Sequence, residues 1–182
     1  MRYESIDTLQ IPKIGFGTWT IGGTSSPDLS SDERSITALR SALEIGYSHF
    51  DTAESYAAGH AEELLGKAIQ DSGVSREKLF ITSKVSPDHL QYQDVVRCCE
   101  NSLRRLQMDY LDLYLIHWPR LGMKLPETFR ALNELVRNGK VRHLGVSNFN
   151  LRLLKQAAAL SETALLTDQV SYCLPDQTYV KN

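Results

Sequence analysis

Short apolar runs rich in β-branched and aromatic residues alternate along this chain with longer stretches of helical periodicity. A polar and apolar segment over 9–13 is expected to pair with the residues before it as a hairpin, and strands are predicted over 14–18, 47–51, 79–84, 111–116, 141–146 and 165–170. Between them the apolar period lengthens. Ser30 stands three residues ahead of Glu33, the spacing of a capping box, and Ile36, Leu39, Ala42 and Leu43 then share one face until Gly46. Further helices are predicted over 61–70, 90–106, 126–138 and 151–160. In the second of these Val95, Val96, Cys99, Leu103 and Leu106 form the stripe. Pro126 suits the first turn of the next, and Gly139 suits its C-terminal cap.

The later strands recur about every 25 to 32 residues, which suits βα units stacked into a parallel sheet. Such units build either a doubly wound sheet or a (β/α)8 barrel, and periodicity does not choose between them. A doubly wound nucleotide-binding fold carries a glycine fingerprint at its first strand-helix turn. Here Gly15-Phe16-Gly17-Thr18-Trp19-Thr20 has the first two glycines but a threonine third, and a long loop follows where a helix should start. No low-complexity tract or linker interrupts the pattern, so residues 1–182 read as a single domain.

Composition narrows the function classes. With 20 basic and 22 acidic side chains the net charge is -2, which supplies no field to gather nucleic acid or anionic lipid. No segment approaches the roughly 20 apolar residues of a membrane span, and the N-terminus has no apolar leader. Cys98, Cys99 and Cys173 have neither the pairing of a disulfide framework nor zinc-ligand spacing, so reduced thiols and a cytoplasmic location are expected.

In a parallel barrel the strand C-termini and the loops after them build the active site. Those positions hold Asp51 with Tyr56 five residues on, then Lys84, His117, Ser147 with Asn148, and Gln169. Singly, each has a structural explanation as a turn former, a solvated strand end or a core histidine. Jointly they form a proton-transfer set. A free phenol holds its proton tightly, with a pKa of about 10. An adjacent ammonium stabilises the phenolate, and a carboxylate keeps that ammonium charged and oriented. Tyr56 would be the general acid, and a neutral His117 could hydrogen-bond a carbonyl oxygen. The amides and hydroxyl of Ser147, Asn148 and Gln169 suit a primary carboxamide, which needs donors and acceptors.

With these residues the sequence resembles the aldo-keto reductases. The matching stretches are Gly15-Phe16-Gly17-Thr18-Trp19, Gly46-Tyr47-Ser48-His49-Phe50-Asp51-Thr52-Ala53 with Tyr56, and Ile81-Thr82-Ser83-Lys84. They continue through Leu111-Asp112-Leu113-Tyr114-Leu115-Ile116-His117-Trp118-Pro119, then Gly139-Lys140-Val141-Arg142-His143-Leu144-Gly145-Val146-Ser147-Asn148-Phe149, and Gln169-Val170-Ser171-Tyr172. The resemblance implies an α/β fold, a (β/α)8 TIM barrel with an N-terminal β-hairpin closing its bottom. It also implies reduction of an aldehyde or ketone by hydride from NADPH, or from NADH. It assigns Asp51, Tyr56, Lys84 and His117 as a catalytic tetrad. Thr18, Trp19, Asp51, Ser147, Asn148 and Gln169 become cofactor-binding positions, and Trp19, Tyr56, His117 and Trp118 line the substrate pocket. No metal is implied.

Two departures shape the expectations. The loop after Tyr56, Ala57-Ala58-Gly59-His60-Ala61, is about three residues longer than in many members of the family. His60 in it is expected to be solvent-exposed, with contact to substrate as the alternative. Against a barrel of about 250 residues, the 182 present amount to about six of eight strands, so a C-terminally truncated barrel is expected. The resemblance places the phosphate contacts of the cofactor in loops after the two further strands. The alternatives to an active reductase are an inactive fragment and a cofactor-binding regulatory module resembling the potassium-channel β subunits. Open sheet edges would favour self-association.

Overall fold

The computed structural model describes residues 2–6, 9–175 and 177. Strands β1 (Tyr3–Ile6) and β2 (Leu9–Pro12) form the expected antiparallel hairpin. The main sheet contains β3 (Phe16–Gly17), β4 (His49–Asp51), β5 (Phe80–Val85), β6 (Leu111–Ile116), β7 (Val141–Ser147) and β8 (Leu165–Gln169). Between successive strands run α1 (Asp32–Glu44), α2 (His60–Ser72), α3 (Tyr92–Leu106), α4 (Leu125–Arg137) and α5 (Leu151–Leu160).

All the main-sheet strands are parallel and their spatial order is β3-β4-β5-β6-β7-β8. A doubly wound sheet reverses its order at a switch point; this one never reverses. Its curvature follows from one contact. Strands β4 and β8 lie four positions apart, about 19 Å across a flat sheet, yet Gln169 Nε2 donates to Asp51 Oδ2 at 2.9 Å. The sheet is therefore rolled, and its six strands form the larger arc of a (β/α)8 barrel.

The rolled sheet has two apolar faces. Outside, Tyr114, Ile116, Leu144 and Val146 pack with Leu39, Leu65, Leu103 and Leu132 of the helices in the main core. Inside, Phe80, Leu113 and Leu115 pack with Leu9, Ile11 and Leu166, so the hairpin contributes to the barrel interior. Alternation along β5 sends Thr82 and Lys84 inward and Ser83 outward toward α2. On β7 the position paired with Leu115 must be Gly145. A Cβ there would lie 2.6 Å from the Leu115 side chain and 2.8 Å from the Thr167 carbonyl oxygen.

Local departures from the sequence expectation are few. Strand 14–18 contracts to Phe16–Gly17, although Thr18 N–H still donates to the Asp51 carbonyl at 2.9 Å. The capping box does not form. Asp28 instead caps a short turn by accepting from Ser30 N–H at 3.1 Å, and Ser31 precedes α1 without a side-chain cap. Helix α2 starts one residue earlier than predicted, at His60.

Candidate active site

The end of β4 and the loop after it build half the site. Asp51 closes β4, and the backbone stays bonded to β5 beyond it: Thr52 N–H donates to the Thr82 carbonyl at 2.9 Å and Glu54 N–H to that of Lys84 at 3.3 Å. Tyr56 is thereby carried over the inner end of β5. The chain then turns through Ala57 and Ala58, both left-handed at φ 49° and 53°. That conformation costs about 1–2 kcal/mol per L-residue. It is held by Ala57 N–H donating to the Thr24 carbonyl at 2.6 Å.

Lys84 is 1% exposed, and all three protons of its ammonium have acceptors. Nζ lies 2.6 Å from Asp51 Oδ1, 2.9 Å from the Thr52 carbonyl and 3.2 Å from Tyr56 Oη. The second Asp51 oxygen takes the Gln169 amide. Asp51, Lys84 and Tyr56 thus form one continuous polar chain from β8 to the phenol.

His117 follows β6, its ring centroid 5.5 Å from that of Tyr56. Its Nδ1 is 3.3 Å from Ser55 Oγ. Burial, and then the Lys84 charge, lower its pKa to about 4 against the opposing pull of Asp51 and Glu54. The imidazole is therefore neutral near pH 7. The tautomer with its proton on Nε2 is the one in which Nδ1 accepts from the Ser55 hydroxyl.

Ser147, Asn148 and Gln169 form the other half of the rim. Ser147 Oγ donates to the Gln169 carbonyl at 2.7 Å and accepts from Asn148 Nδ2 at 2.9 Å, while the same amide nitrogen donates to the His117 carbonyl at 3.1 Å. Asn148 has φ 61°, a left-handed conformation that asparagine tolerates. Among the described residues, Asn148 Oδ1 and Gln169 Oε1 accept no hydrogen bond, which leaves two acceptors at the rim for a carboxamide NH2.

The aromatic positions separate by exposure. Trp19 is half-exposed, edge-on to Tyr56 with centroids 5.0 Å apart, and Trp118 is also half-exposed beside His117 in the chain. Thr18 is fully buried; its hydroxyl donates to the Asp51 carbonyl at 3.1 Å, so it supports the end of β4. A cleft of about 390 Å³ opens between the loops after β5 and β6, lined by Pro87, Leu90, Arg120 and Met123 among others. No tetrad residue lines it, so the chemistry and not the cleft defines the site.

His60 is neither solvent-exposed nor turned toward the phenol. Its side chain is 12% exposed and lies between carboxylates, Nε2 2.8 Å from Asp32 Oδ1 and Nδ1 2.9 Å from Glu63 Oε2. Burial lowers the His60 pKa, but the carboxylate on each nitrogen outweighs it and raises the pKa above 6.5, and the ring ties the start of α2 to α1.

Sequence reasoning missed three supports. Ser55 and the Thr52 carbonyl touch tetrad atoms but carry no sequence signal. Glu62 did carry one, an acid in register with Leu65, Gly66 and Ile69 on the inward face of α2. It is fully buried, accepting from Ser83 Oγ at 2.5 Å and from Arg105 Nε at 2.7 Å, with Arg105 Nη2 2.6 Å from the same Oε2.

Comparison with known proteins agrees with this geometry. Residues 13–179 match the Aldo/keto reductase family. The chain is 40% identical over 167 residues to the methylglyoxal reductase YeaE of Escherichia coli, covering 91% of this chain and 56% of that protein. It superposes with TM-score 0.93 and 49% identity on the thermostable aldo-keto reductase Tm1743, solved with the inhibitor epalrestat, over 97% of this chain and 64% of that one. An aldo-keto reductase from Klebsiella pneumoniae in complex with NADPH superposes with TM-score 0.80 at 38% identity, over 94% of this chain and 59% of that one. The chain spans about half the length of the curated relatives it matches, 51% and 56% of the first two. Among the described residues no helix is long and apolar enough to cross a membrane. A sequentially ordered barrel arc, a phenol held against a buried ammonium and a family match over nearly the whole chain converge: the chain belongs to the aldo/keto reductase family.

Proposed function

We propose that this chain carries the proton-transfer side of an NADPH-dependent carbonyl reductase, with Asp51, Tyr56, Lys84 and His117 as its catalytic residues. The observation that carries the proposal is the placement of Lys84 Nζ 3.2 Å from Tyr56 Oη and 2.6 Å from Asp51 Oδ1. The nicotinamide, when bound, supplies the hydride. Tyr56 donates its proton to the carbonyl oxygen, and the fixed ammonium stabilises the phenolate left behind. Asp51 keeps Lys84 charged and in place. His117, neutral, donates from Nε2 to the carbonyl oxygen and orients it toward Tyr56. Ser147, Asn148 and Gln169 would hold the cofactor's carboxamide, and Trp19 and Trp118 would wall the substrate side.

Small, reactive aldehydes such as methylglyoxal are the proposed substrates, supported by the name of the relative YeaE and by the edge-on packing of Trp19 and His117 against Tyr56. The three free cysteines, with Cys98 and Cys99 buried, support a reducing cytoplasmic setting. Strands β3 and β8 each pair on one side only among the described residues, which supports association between copies. The test is NADPH oxidation with methylglyoxal by the chain and by Tyr56→Phe. A loss of at least about a hundredfold is expected; turnover that survives the substitution would remove Tyr56 as the acid.

A further inference from the structure

Glu54, His89 and Cys98 converge behind the loop that carries Tyr56. Glu54 is on that loop, His89 ends the short turn Pro87–His89 after β5, and Cys98 is on the buried face of α3. One donor atom of each lies within 4.8 Å of both others. His89 Nδ1 is 2.9 Å from Glu54 Oε1, and Ser86 N–H donates to the same oxygen at 2.6 Å, fixing the carboxylate. The Glu54 side chain is 9% exposed and that of His89 42%, so the cluster is closed on the helix side and open to water on the histidine side.

We propose that Glu54, His89 and Cys98 bind a thiophilic divalent cation of the Zn²⁺ class, with water from the His89 side completing a tetrahedral set. The donor chemistry selects the metal. A thiolate, an imidazole and a carboxylate suit a borderline-soft ion, whereas Mg²⁺ and Ca²⁺ require six or more oxygens. The charge also balances: a divalent cation, one thiolate, one carboxylate and a neutral imidazole sum to zero, so no net charge is buried. Bonds of about 2.0–2.3 Å put tetrahedral donors roughly 3.3–3.8 Å apart. The His89–Glu54 pair opens by about 0.5 Å and Cys98 closes in.

Binding breaks the Cys98 S–H bond, forms the metal–sulfur bond and releases the proton to solvent, with no change of oxidation state. Burial, then the neighbouring Glu54, push the thiol up to about 12, so the cation displaces a firmly held proton and uptake strengthens as pH rises. No residue of the tetrad is a ligand, and the site is independent of cofactor.

The experiment is a Co²⁺ titration of the reduced protein carrying Cys173→Ser, which removes the exposed thiol. A saturable thiolate-to-cobalt absorption band is expected, discharged by Zn²⁺ and unaffected by Mg²⁺. Cys98→Ala should abolish the band. His89→Asn changes a half-exposed side chain, so folding is preserved, and should weaken binding at least about tenfold. Absence of the band, its survival in Cys98→Ala, or unchanged affinity in His89→Asn would each overturn the site.

Discussion

Removing the Arg105 guanidinium leaves the most deeply buried carboxylate among the described residues without its counter-charge. Glu62 is 0% exposed and joins three elements: its own helix α2, Ser83 on β5 and Arg105 on α3. Arg105 contributes one charge-assisted hydrogen bond, from Nε at 2.7 Å, and its Nη2 lies 2.6 Å from the same oxygen. The hydrogen bond is worth about 1.5–3 kcal/mol, and breaking one side of a buried ion pair costs about 3–5 kcal/mol. The larger figure includes the carboxylate left buried without a counter-charge, which is the state the substitution creates. Arg105→Met is therefore expected to lose about 3–5 kcal/mol near neutral pH, a fall of roughly 6–20 °C in Tm for a chain of this size.

The pH dependence gives that expectation its sharper test. Burial raises the Glu62 pKa above 4.5, with Arg105 and Ser83 pulling the other way. A carboxyl whose folded pKa exceeds its unfolded one destabilises the fold progressively as pH rises from the unfolded value to the folded value. Without Arg105 the folded pKa climbs further, so the penalty is full at high pH and is relieved on acidification. Urea unfolding at about pH 8 and about pH 5 should show the gap between wild type and variant narrowing at the lower pH. Adding Glu62→Gln, which leaves an amide able to bond Ser83, should restore at least half of the loss. A double variant as unstable as Arg105→Met, or a single variant within about 1 kcal/mol of wild type at about pH 8, would refute the reasoning.

Other consequences are open to direct measurement. Burial opposes the His60 charge, but the bonds to Glu63 and Asp32 outweigh it and raise the pKa above 6.5; this clamp should stabilise the fold fully below that value and lose its contribution as pH rises through the raised pKa. In His60→Gln the corresponding drift in the urea midpoint should vanish. NMR titration should find His117 neutral down to about pH 4, and Lys84→Met should move its pKa upward, since the Lys84 charge is the second cause of the depression after burial. Of the three thiols, only the exposed Cys173 should react with a disulfide reagent in the native protein, because burial pushes Cys98 and Cys99 up to about 12. The pair Asp51→Asn with Lys84→Met should abolish turnover yet leave stability unchanged or raised by about 1–4 kcal/mol, as measured by urea unfolding beside the NADPH assay.

The elements with strong apolar periods were legible in the sequence, and those set by tertiary contacts were not. Strand 111–116 is legible to the residue because all six positions are buried and five of them are apolar or aromatic, Asp112 alone being held by Arg76 and Arg142. Strand 14–18 was overread, since only two of its residues pair regularly with β4. The left-handed Ala57-Ala58 turn gave no warning, because alanine carries no preference for positive φ and the turn is held by Thr24 from another loop. His60 was misplaced for the same reason: its partner Asp32 lies 28 residues away. That Asp51, Tyr56, Lys84 and His117 come together was legible as residue types at strand ends. Gln169 is different, for its reach to Asp51 follows an irregularity in the β7–β8 register between Leu144 and Val146, which alternation alone does not encode.

Lys84 shows why the site is better explained by chemistry than by stability. A buried ion pair often contributes no more to folding than apolar side chains of the same size, since desolvation offsets the attraction. The barrel interior also holds an apolar cluster, Phe80, Leu113 and Leu115, of the kind that apolar side chains extend. Yet Lys84 is held there with every proton matched to an acceptor, one of them the only phenol among the strand-end residues singled out in the sequence. The arrangement is already complete in the protein alone, so the proposed proton transfer would need no reorientation of Lys84. Under the proposed function, a cation buried to 1% exposure and 3.2 Å from the Tyr56 oxygen faces the charge that proton donation would leave there, with little water to screen it. The desolvation cost is therefore met in folding, and its return is a fixed field at Tyr56 Oη.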